Sequence, residues 1–212
     1  MASAFHFCGH VGDDDIEVHY RGEIGHIMAE LKPSALMRLF GLPGNELHGL
    51  SVDVRDLLPR RAVDRMLDRV GRARNRDERI AAFSMMLLEQ ASMHPVRGRM
   101  IDFVAAEIDR QRGQIRMSDL SEQFDMSRRT LTRRFTEIVG LSPKRFANVA
   151  RLNNTIRQLS AARFSTLADL AVETGYYDEA HMSHDFTRYF GMSPARFLEA
   201  RNAMILSYAG GK

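Results

Sequence analysis

The stretch FTEIVGLSPKRF, residues 135–146, returns 51 positions later as FTRYFGMSPARF, residues 186–197. Phe, Thr, Gly, Ser, Pro, Arg and Phe keep their places in both copies. In each copy the glycine can end one helix and the Ser-Pro pair can begin the next, because proline at the first helical position gives up no hydrogen bond. Looser matches precede the copies, LSEQFDMS at residues 120–127 and LAVETGYYD at residues 170–178. The repeat predicts that one helical unit occurs twice.

Each copy is predicted to contain two helices separated by a tight turn. Residues that favour helix N-caps stand where the helices should begin, at Ser118, Ser127, Thr166 and Asp178. Thr166 is followed by Asp169, which resembles a capping box. A long helix from Pro143 to about Leu159 is predicted to join the copies. Helix, short turn and helix is the arrangement whose second helix enters the major groove in nucleic-acid-binding proteins.

The second helix of the first copy is strongly basic. In SRRTLTRRF, residues 127–135, Leu131 and Phe135 lie four apart on one predicted helix face, and the four arginines project elsewhere. Residues 127–151 hold seven basic residues against Glu137 alone. A solvated surface explains an isolated basic helix. A patch of this density, within a repeated helix–turn–helix, is typical of a surface that attracts a polyanion through phosphate contacts.

Residues 98–206 resemble the DNA-binding domain of the AraC/XylS transcription regulators. The resemblance is carried by the doubled helix–turn–helix, the endings GLSPKRF and GMSPARF, and the stretch LADLAVETGYYDEAHMSHDFTRYFGMSPARF. It implies a bacterial type of transcription factor that binds double-stranded DNA sequence-specifically. Its two recognition helices, residues 127–138 and 179–190, would occupy successive major grooves roughly 34 Å apart, about one helical turn. RNA polymerase is a further partner that the resemblance suggests.

The resemblance assigns contacts to bases and phosphates residue by residue. In the first recognition helix they fall on Arg128, Arg129, Thr132 and Arg133, and in the second on Glu179, Ala180, His181, Ser183 and His184. Lys144, Arg145 and Arg151 are expected to add phosphate contacts that fix the register.

This sequence departs from the family pattern at both units. Asp125 replaces the usual turn glycine, and aspartate tolerates left-handed backbone better than most residues. His184 and Asp185 stand where an arginine and a neutral residue are common. Residues 167–201 hold six acidic residues against three arginines. The first recognition helix is therefore predicted to supply most of the affinity.

The amino-terminal part of the chain has a different residue pattern. IEVHYRGEIGHIMAELKP, residues 16–33, predicts two or three short strands, and a short helix is expected from Ser34 to Phe40. Residues 1–58 resemble the end of a sensory domain, so a small-molecule effector is one expectation. Residues 59–95 are predicted to be a helical linker through which a homodimer forms, with Met85 and Met86 as interface candidates. The fold class is mainly α, with a small α+β segment before the two helix–turn–helix units.

Composition excludes several other classes. No run approaches the roughly twenty apolar residues of a membrane span, and the start lacks the order of a signal peptide, so a cytoplasmic location is expected. Cys8 is the only cysteine, which excludes an internal disulfide and a cysteine-based zinc cage. Without a P-loop, a dinucleotide glycine motif or a serine elbow, neither an enzyme nor a cofactor is predicted.

Three alternatives stay open. His6, Cys8 and His10 alternate as metal ligands on a strand would, although a frayed terminus is the simpler interpretation. His181 and His184 are spaced as a metal pair on a helix, but groove contact is favoured. A helical adaptor whose basic patch binds an acidic protein would explain the charge, but it would not explain the repeat.

Overall fold

The computed structural model describes residues 6–8, 27, 29–47, 49–94 and 99–200. The described part is mainly α, which confirms the predicted fold class. In chain order its strands and helices are β1 (His6–Cys8), α1 (Ala35–Phe40), a short 3-10 helix (Gly44–Leu47), β2 (Ser51–Asp53), α2 (Val54–Leu57), α3 (Arg60–Arg72), α4 (Arg76–Ser92), α5 (Arg99–Arg110), α6 (Met117–Gln123), α7 (Arg128–Val139), α8 (Pro143–Ala161), α9 (Leu167–Glu173) and α10 (Glu179–Phe190).

The chain forms two compact units whose segments interleave along the sequence. The first unit consists of residues up to 104 together with 127–142, and the second consists of 105–126 together with the residues from 143 onward. The sequence predicted three consecutive domains, residues 1–58, 59–95 and 98–206. These boundaries stay a prediction. The grouping nevertheless shows that α7 packs with amino-terminal elements, which the sequence did not indicate.

The first unit combines a small two-stranded sheet with helices. β1 and β2 pair antiparallel, with His6 opposite Asp53 and Cys8 opposite Ser51. A small core forms where Val54, Leu58 and Val63 are buried and Phe7, Phe40, Met66 and Leu67 pack against them. The buried hydroxyl of Ser34 donates to Asp102 of α5 over 2.7 Å, which attaches the start of α1 to that helix.

The second unit has a continuous apolar core. Leu152 and Leu159 of α8 are buried together with residues of α9, the turn after it and α10: Leu170, Ala171, Tyr176, Met182 and Phe186. Ile156, Phe164, Leu167, Tyr189, Phe197 and Leu198 cover this cluster at its edge. The long α8 is thus the support on which the second helix–turn–helix rests.

Several local expectations need correction. Ser118 was expected to cap the helix before the first turn, but the N-cap is Arg116. The backbone becomes helical earlier, so Ser118 lies inside α6 and its hydroxyl donates to the carboxylate of Asp119. Residues 6–8 pair as strand β1, so the expectation of a frayed terminus is wrong for them. The strands expected over residues 16–33 fall mostly outside the described residues, as does His10.

Candidate nucleic-acid interface

Helix α7 separates an apolar face from a basic face. Leu131, Phe135 and Val139 are almost completely buried, as the sequence pattern predicted for the first two. The other face is exposed and carries Arg128, Arg129, Thr132, Arg133 and Arg134. We call these five residues the α7 surface. Among the described residues, Arg133 of this surface forms a weak, exposed ion pair with Glu137 at 3.7 Å.

Both ends of α7 are fixed by residues that the repeat pointed to. The Ser127 hydroxyl accepts a hydrogen bond from the Thr130 N–H at 3.2 Å, so Ser127 is the predicted N-cap. Gly140 ends the helix in left-handed backbone, with φ of 88°. Just before α7, Asp125 adopts a left-handed φ of 47°, which confirms that aspartate replaces the turn glycine.

The carboxyl end of α7 lies backbone against backbone on the 3-10 helix of the same unit. A Cβ atom on Gly140 would lie 2.5 Å from the Gly44 carbonyl oxygen, and one on Gly44 would lie 2.5 Å from the Val139 carbonyl carbon. Real Cβ atoms do not approach backbone atoms this closely, so both positions require glycine. We call this contact the Gly44–Gly140 contact.

Helix α10 repeats the plan of α7 with a different charge. Met182 and Phe186 are completely buried, at the positions that Leu131 and Phe135 occupy in α7. The Asp178 carboxylate accepts the His181 N–H at 2.7 Å, and Gly191 ends the helix with φ of 66°. Glu179, Ala180, His181 and His184 are exposed and Ser183 is half-buried. We call these five residues the α10 surface.

The turn before α10 is one residue longer than the turn before α7. Tyr176 N–H bonds to the Ala171 carbonyl as Met126 N–H bonds to that of Ser121, so the extra residue is Tyr177. Tyr177 is 89% exposed, whereas Tyr176 is 4% exposed. Gly175 takes the left-handed position, with φ of 84°. The sequence comparison already contained this signal, because one copy has eight residues where the other has nine.

The turn before α10 is also held by side chains of the same unit. Gln114 donates from its amide to the Glu173 carbonyl at 3.0 Å. Arg151 of α8 donates from one Nη to the Gly175 carbonyl at 2.9 Å, and from the other to the Asn148 side-chain oxygen at 2.7 Å. The Arg151 guanidinium also lies 4.9 Å from the centre of the Tyr176 ring. Arg151 therefore has intramolecular partners that the sequence did not indicate.

Burial changes the chemistry of Tyr176. Removal of the ring from water raises the pKa of its hydroxyl to about 12, and the negative charge of Asp185 acts in the same direction. The nearby Arg151 guanidinium opposes this effect. The hydroxyl is therefore neutral at physiological pH. The Tyr176 ring also meets the imidazole of His181 edge to face, with 5.2 Å between the ring centres.

The predicted phosphate-contact residues of α8 are placed differently from one another. Lys144 is exposed in the first turn of the helix, and Arg145 is half-buried beside it. Arg151 is half-buried and engaged with the turn before α10. None of the predicted contacts to DNA is tested by this geometry, and they stay predictions.

The chain is similar to several known proteins. Residues 120–200 match a family described as a helix-turn-helix domain. This region is an AraC/XylS-type DNA-binding domain. An HTH-type transcriptional regulator of Haemophilus influenzae is 30% identical to the chain over 117 residues, which are 55% of this chain and 39% of that protein. The HTH-type transcriptional activator RhaS of Escherichia coli is 34% identical over 86 residues, which are 41% of this chain and 31% of RhaS.

The chain thus spans less than two fifths of the length of these curated relatives. The AraC/XylS-type domain also has a likeness to the crystal structure of the DNA-binding domain of AdpA in complex with a target DNA. That likeness has 27% identity and a TM-score of 0.46, and covers 49% of this chain and 94% of the other.

Two further features are absent from the described residues. No helix in that part of the chain is long and apolar enough to cross a membrane. Within the same residues, which include His181 and His184, no group of three or more histidine, cysteine or acidic side chains is arranged to hold a metal ion.

Proposed function

We propose that this chain regulates transcription by binding double-stranded DNA sequence-specifically, with the α7 surface and the α10 surface in successive major grooves. The observation that carries the proposal is the pair α7 and α10 itself. Both helices bury an apolar face, both are capped at equivalent residues, and both direct a polar face to solvent. A helix exposed in this way, after a short turn, is the element that reads base edges in helix–turn–helix proteins.

The two surfaces are proposed to contribute unequally. The α7 surface carries four arginines, and arginine can form two parallel hydrogen bonds to phosphate or to guanine. Helix α10 carries Glu179 and Asp185 against Arg188, so its charge opposes approach to DNA. Lys144 and Arg145 would add phosphate contacts that fix the register. Affinity is therefore proposed to come mainly from α7, and α10 to contribute base selection.

Salt dependence tests this proposal. About five phosphate contacts predict that the logarithm of the binding constant falls with the logarithm of salt concentration with a slope near −4 to −5. Fluorescence anisotropy with a duplex recovered by binding-site selection measures that slope. An adaptor for an acidic protein would select no duplex sequence. Failure to recover a consensus sequence would therefore exclude the proposed function.

A homodimer through residues 60–93 is proposed as well. Met86, one of the two predicted interface residues, is buried. Helices α3 and α4 contact each other in the first unit, and α4 leaves Met85 and Leu88 exposed by 57% and 71%. These side chains lie three residues apart, on one face of the helix. Sedimentation equilibrium of the chain and of a Leu88→Glu variant tests the dimer, which the charge should dissociate.

The remaining partners follow from the proposed role alone. A regulator of this kind acts where bacterial DNA lies, in the cytoplasm, and RNA polymerase and a small-molecule effector are its expected partners. The named relatives are transcription regulators, which fits a chain that is not an enzyme.

A further inference from the structure

Arg151 is held inside the second unit in a way that does not suit a phosphate contact. Its two Nη atoms donate to the Gly175 carbonyl and the Asn148 side chain. Its central carbon lies 4.9 Å from the centre of the Tyr176 ring. Its Nε atom is buried and has no hydrogen-bond partner among the described residues. A guanidinium presents its donors in a rigid planar fork, so partners on two sides fix its orientation. The guanidinium is therefore held by partners within the second unit.

The partners of Arg151 lead directly to the recognition helix. Gly175 is the left-handed residue of the turn before α10, and Tyr176 follows it. The buried Tyr176 ring packs edge to face on His181, whose backbone N–H is bonded to the Asp178 cap. An aromatic pair of this kind prefers a defined orientation. Tyr176 thus lies in contact with both Arg151 of α8 and His181 of the α10 surface.

We propose that Arg151 is a positioning residue for the second recognition helix, and that it acts through the turn and Tyr176 on His181 instead of binding a phosphate. The inference rests on the proposed DNA binding by α10. It replaces the phosphate role that the basic patch of residues 127–151 suggested for Arg151.

Two substitutions separate the two roles. Lysine keeps the charge of Arg151 but cannot donate in the same fork to both Gly175 and Asn148, and methionine keeps the apolar stem alone. A phosphate contact would be largely restored by lysine, and methionine would reduce the salt slope by about one. A positioning role predicts that both variants lose base discrimination to the same extent and that the salt slope is unchanged.

The DNA experiment uses the duplex selected by the wild-type chain. The half bound by α10 is the half where His184→Ala relaxes base preference. Arg151→Lys and Arg151→Met are both expected to reduce discrimination at that half about tenfold or more, and to leave discrimination at the other half unchanged. Arg157→Met is the matched control, because Arg157 lies on the same helix and is exposed. Rescue by lysine, or equal losses at both halves, would overturn the proposal.

A second readout needs no DNA. The imidazole resonances of His181, assigned with a His181→Gln variant, should feel the ring current of Tyr176. Arg151→Met should shift them in the same direction as Tyr176→Leu, and Arg157→Met should leave them in place. If Arg151→Met leaves them unmoved, the positioning role is wrong. If they shift while the wild-type chain selects no duplex, the internal arrangement stands and the proposed function fails.

Discussion

Helices α7 and α10 are built on one template and carry opposite charge. Each has a polar N-cap, two fully buried apolar side chains four residues apart, and a left-handed glycine at its end. One exposes four arginines, whereas the other exposes Glu179 and two histidines. Since the buried faces are alike, the repeat must be maintained by packing and capping. The exposed faces are then free to take different tasks.

The glycines that end the two helices should show the largest difference. Both adopt left-handed backbone, so alanine should cost about 1 kcal/mol of unfolding free energy at each through strain. A Cβ atom on Gly140 would also lie 2.5 Å from the Gly44 carbonyl oxygen, whereas nothing lies within 4 Å of a Cβ at Gly191. Overpacking of this kind adds about 1–3 kcal/mol, so Gly140→Ala should lose roughly 2–4 kcal/mol in urea unfolding. Equal losses at the two glycines would show that the Gly44–Gly140 contact is loose.

A buried tyrosine distinguishes the second turn at alkaline pH. The pKa of Tyr176 is raised from 10.0 to about 12, so the folded state disfavours ionisation. The contribution of the Tyr176 hydroxyl to the unfolding free energy should be constant below about pH 10 and should fall as the pH rises toward 12. At about 1.4 kcal/mol per pKa unit the full loss is on the order of 2–3 kcal/mol.

Urea unfolding near both ends of that pH range measures this effect. The wild-type chain should lose more stability than Tyr176→Phe, which has no hydroxyl to ionise. Tyr177→Phe is the matched control, because Tyr177 is 89% exposed, and it should behave as the wild type does. Parallel pH dependence in the wild type and Tyr176→Phe would contradict the burial assigned to this hydroxyl.

The difference in charge should appear in DNA affinity. Arg129→Ala or Arg133→Ala should each cost about 1–3 kcal/mol of binding free energy, and His184→Ala should cost less. A gel-shift series on the selected duplex gives the ranking. Because a phosphate contact contributes to the salt slope, a loss of about one in that slope identifies which arginine meets a phosphate and which reads a base. A larger loss from His184→Ala would reverse the proposed roles of the two helices.

The two N-caps should give the smallest effects. Ser127→Ala and Asp178→Ala should each reduce the unfolding free energy by about 1 kcal/mol, because each leaves a backbone N–H without its partner. The Asp178 cap is charged and sits at the positive end of the helix dipole, so part of its contribution is screened by salt. Urea unfolding at low and high salt should therefore show a salt-dependent loss for Asp178→Ala and a constant loss for Ser127→Ala.

The sequence predicted the parts of the structure that local chemistry decides. The caps Ser127, Thr166 and Asp178 hold the expected helices, and Thr166 and Asp169 form the expected capping pair. The spacing of Leu131 and Phe135 identified the buried face. Each of these features depends on residues at most four positions apart, where helix geometry fixes which side chains meet.

The features that sequence reasoning missed depend on distant contacts. His6 pairs with Asp53, and Gly44 meets Gly140, across long stretches of chain. Nothing in the residues around Arg151 distinguishes a guanidinium directed at Gly175 from one directed at solvent. A basic residue on a helix near a recognition element has both interpretations until its partners are known. Burial of Tyr176 and exposure of Tyr177 raise the same difficulty, because adjacent identical residues take opposite environments.

The Gly44–Gly140 contact bears on how regulators of this kind can be recombined. An engineer who transplants residues 98–206 into another protein would cut between two backbones that touch, and would leave the end of α7 without the surface that shaped it. The transplant should therefore carry residues 34–50, which include Gly44, with it. A segment that can be exchanged between regulators therefore cannot be chosen as one continuous stretch of this sequence.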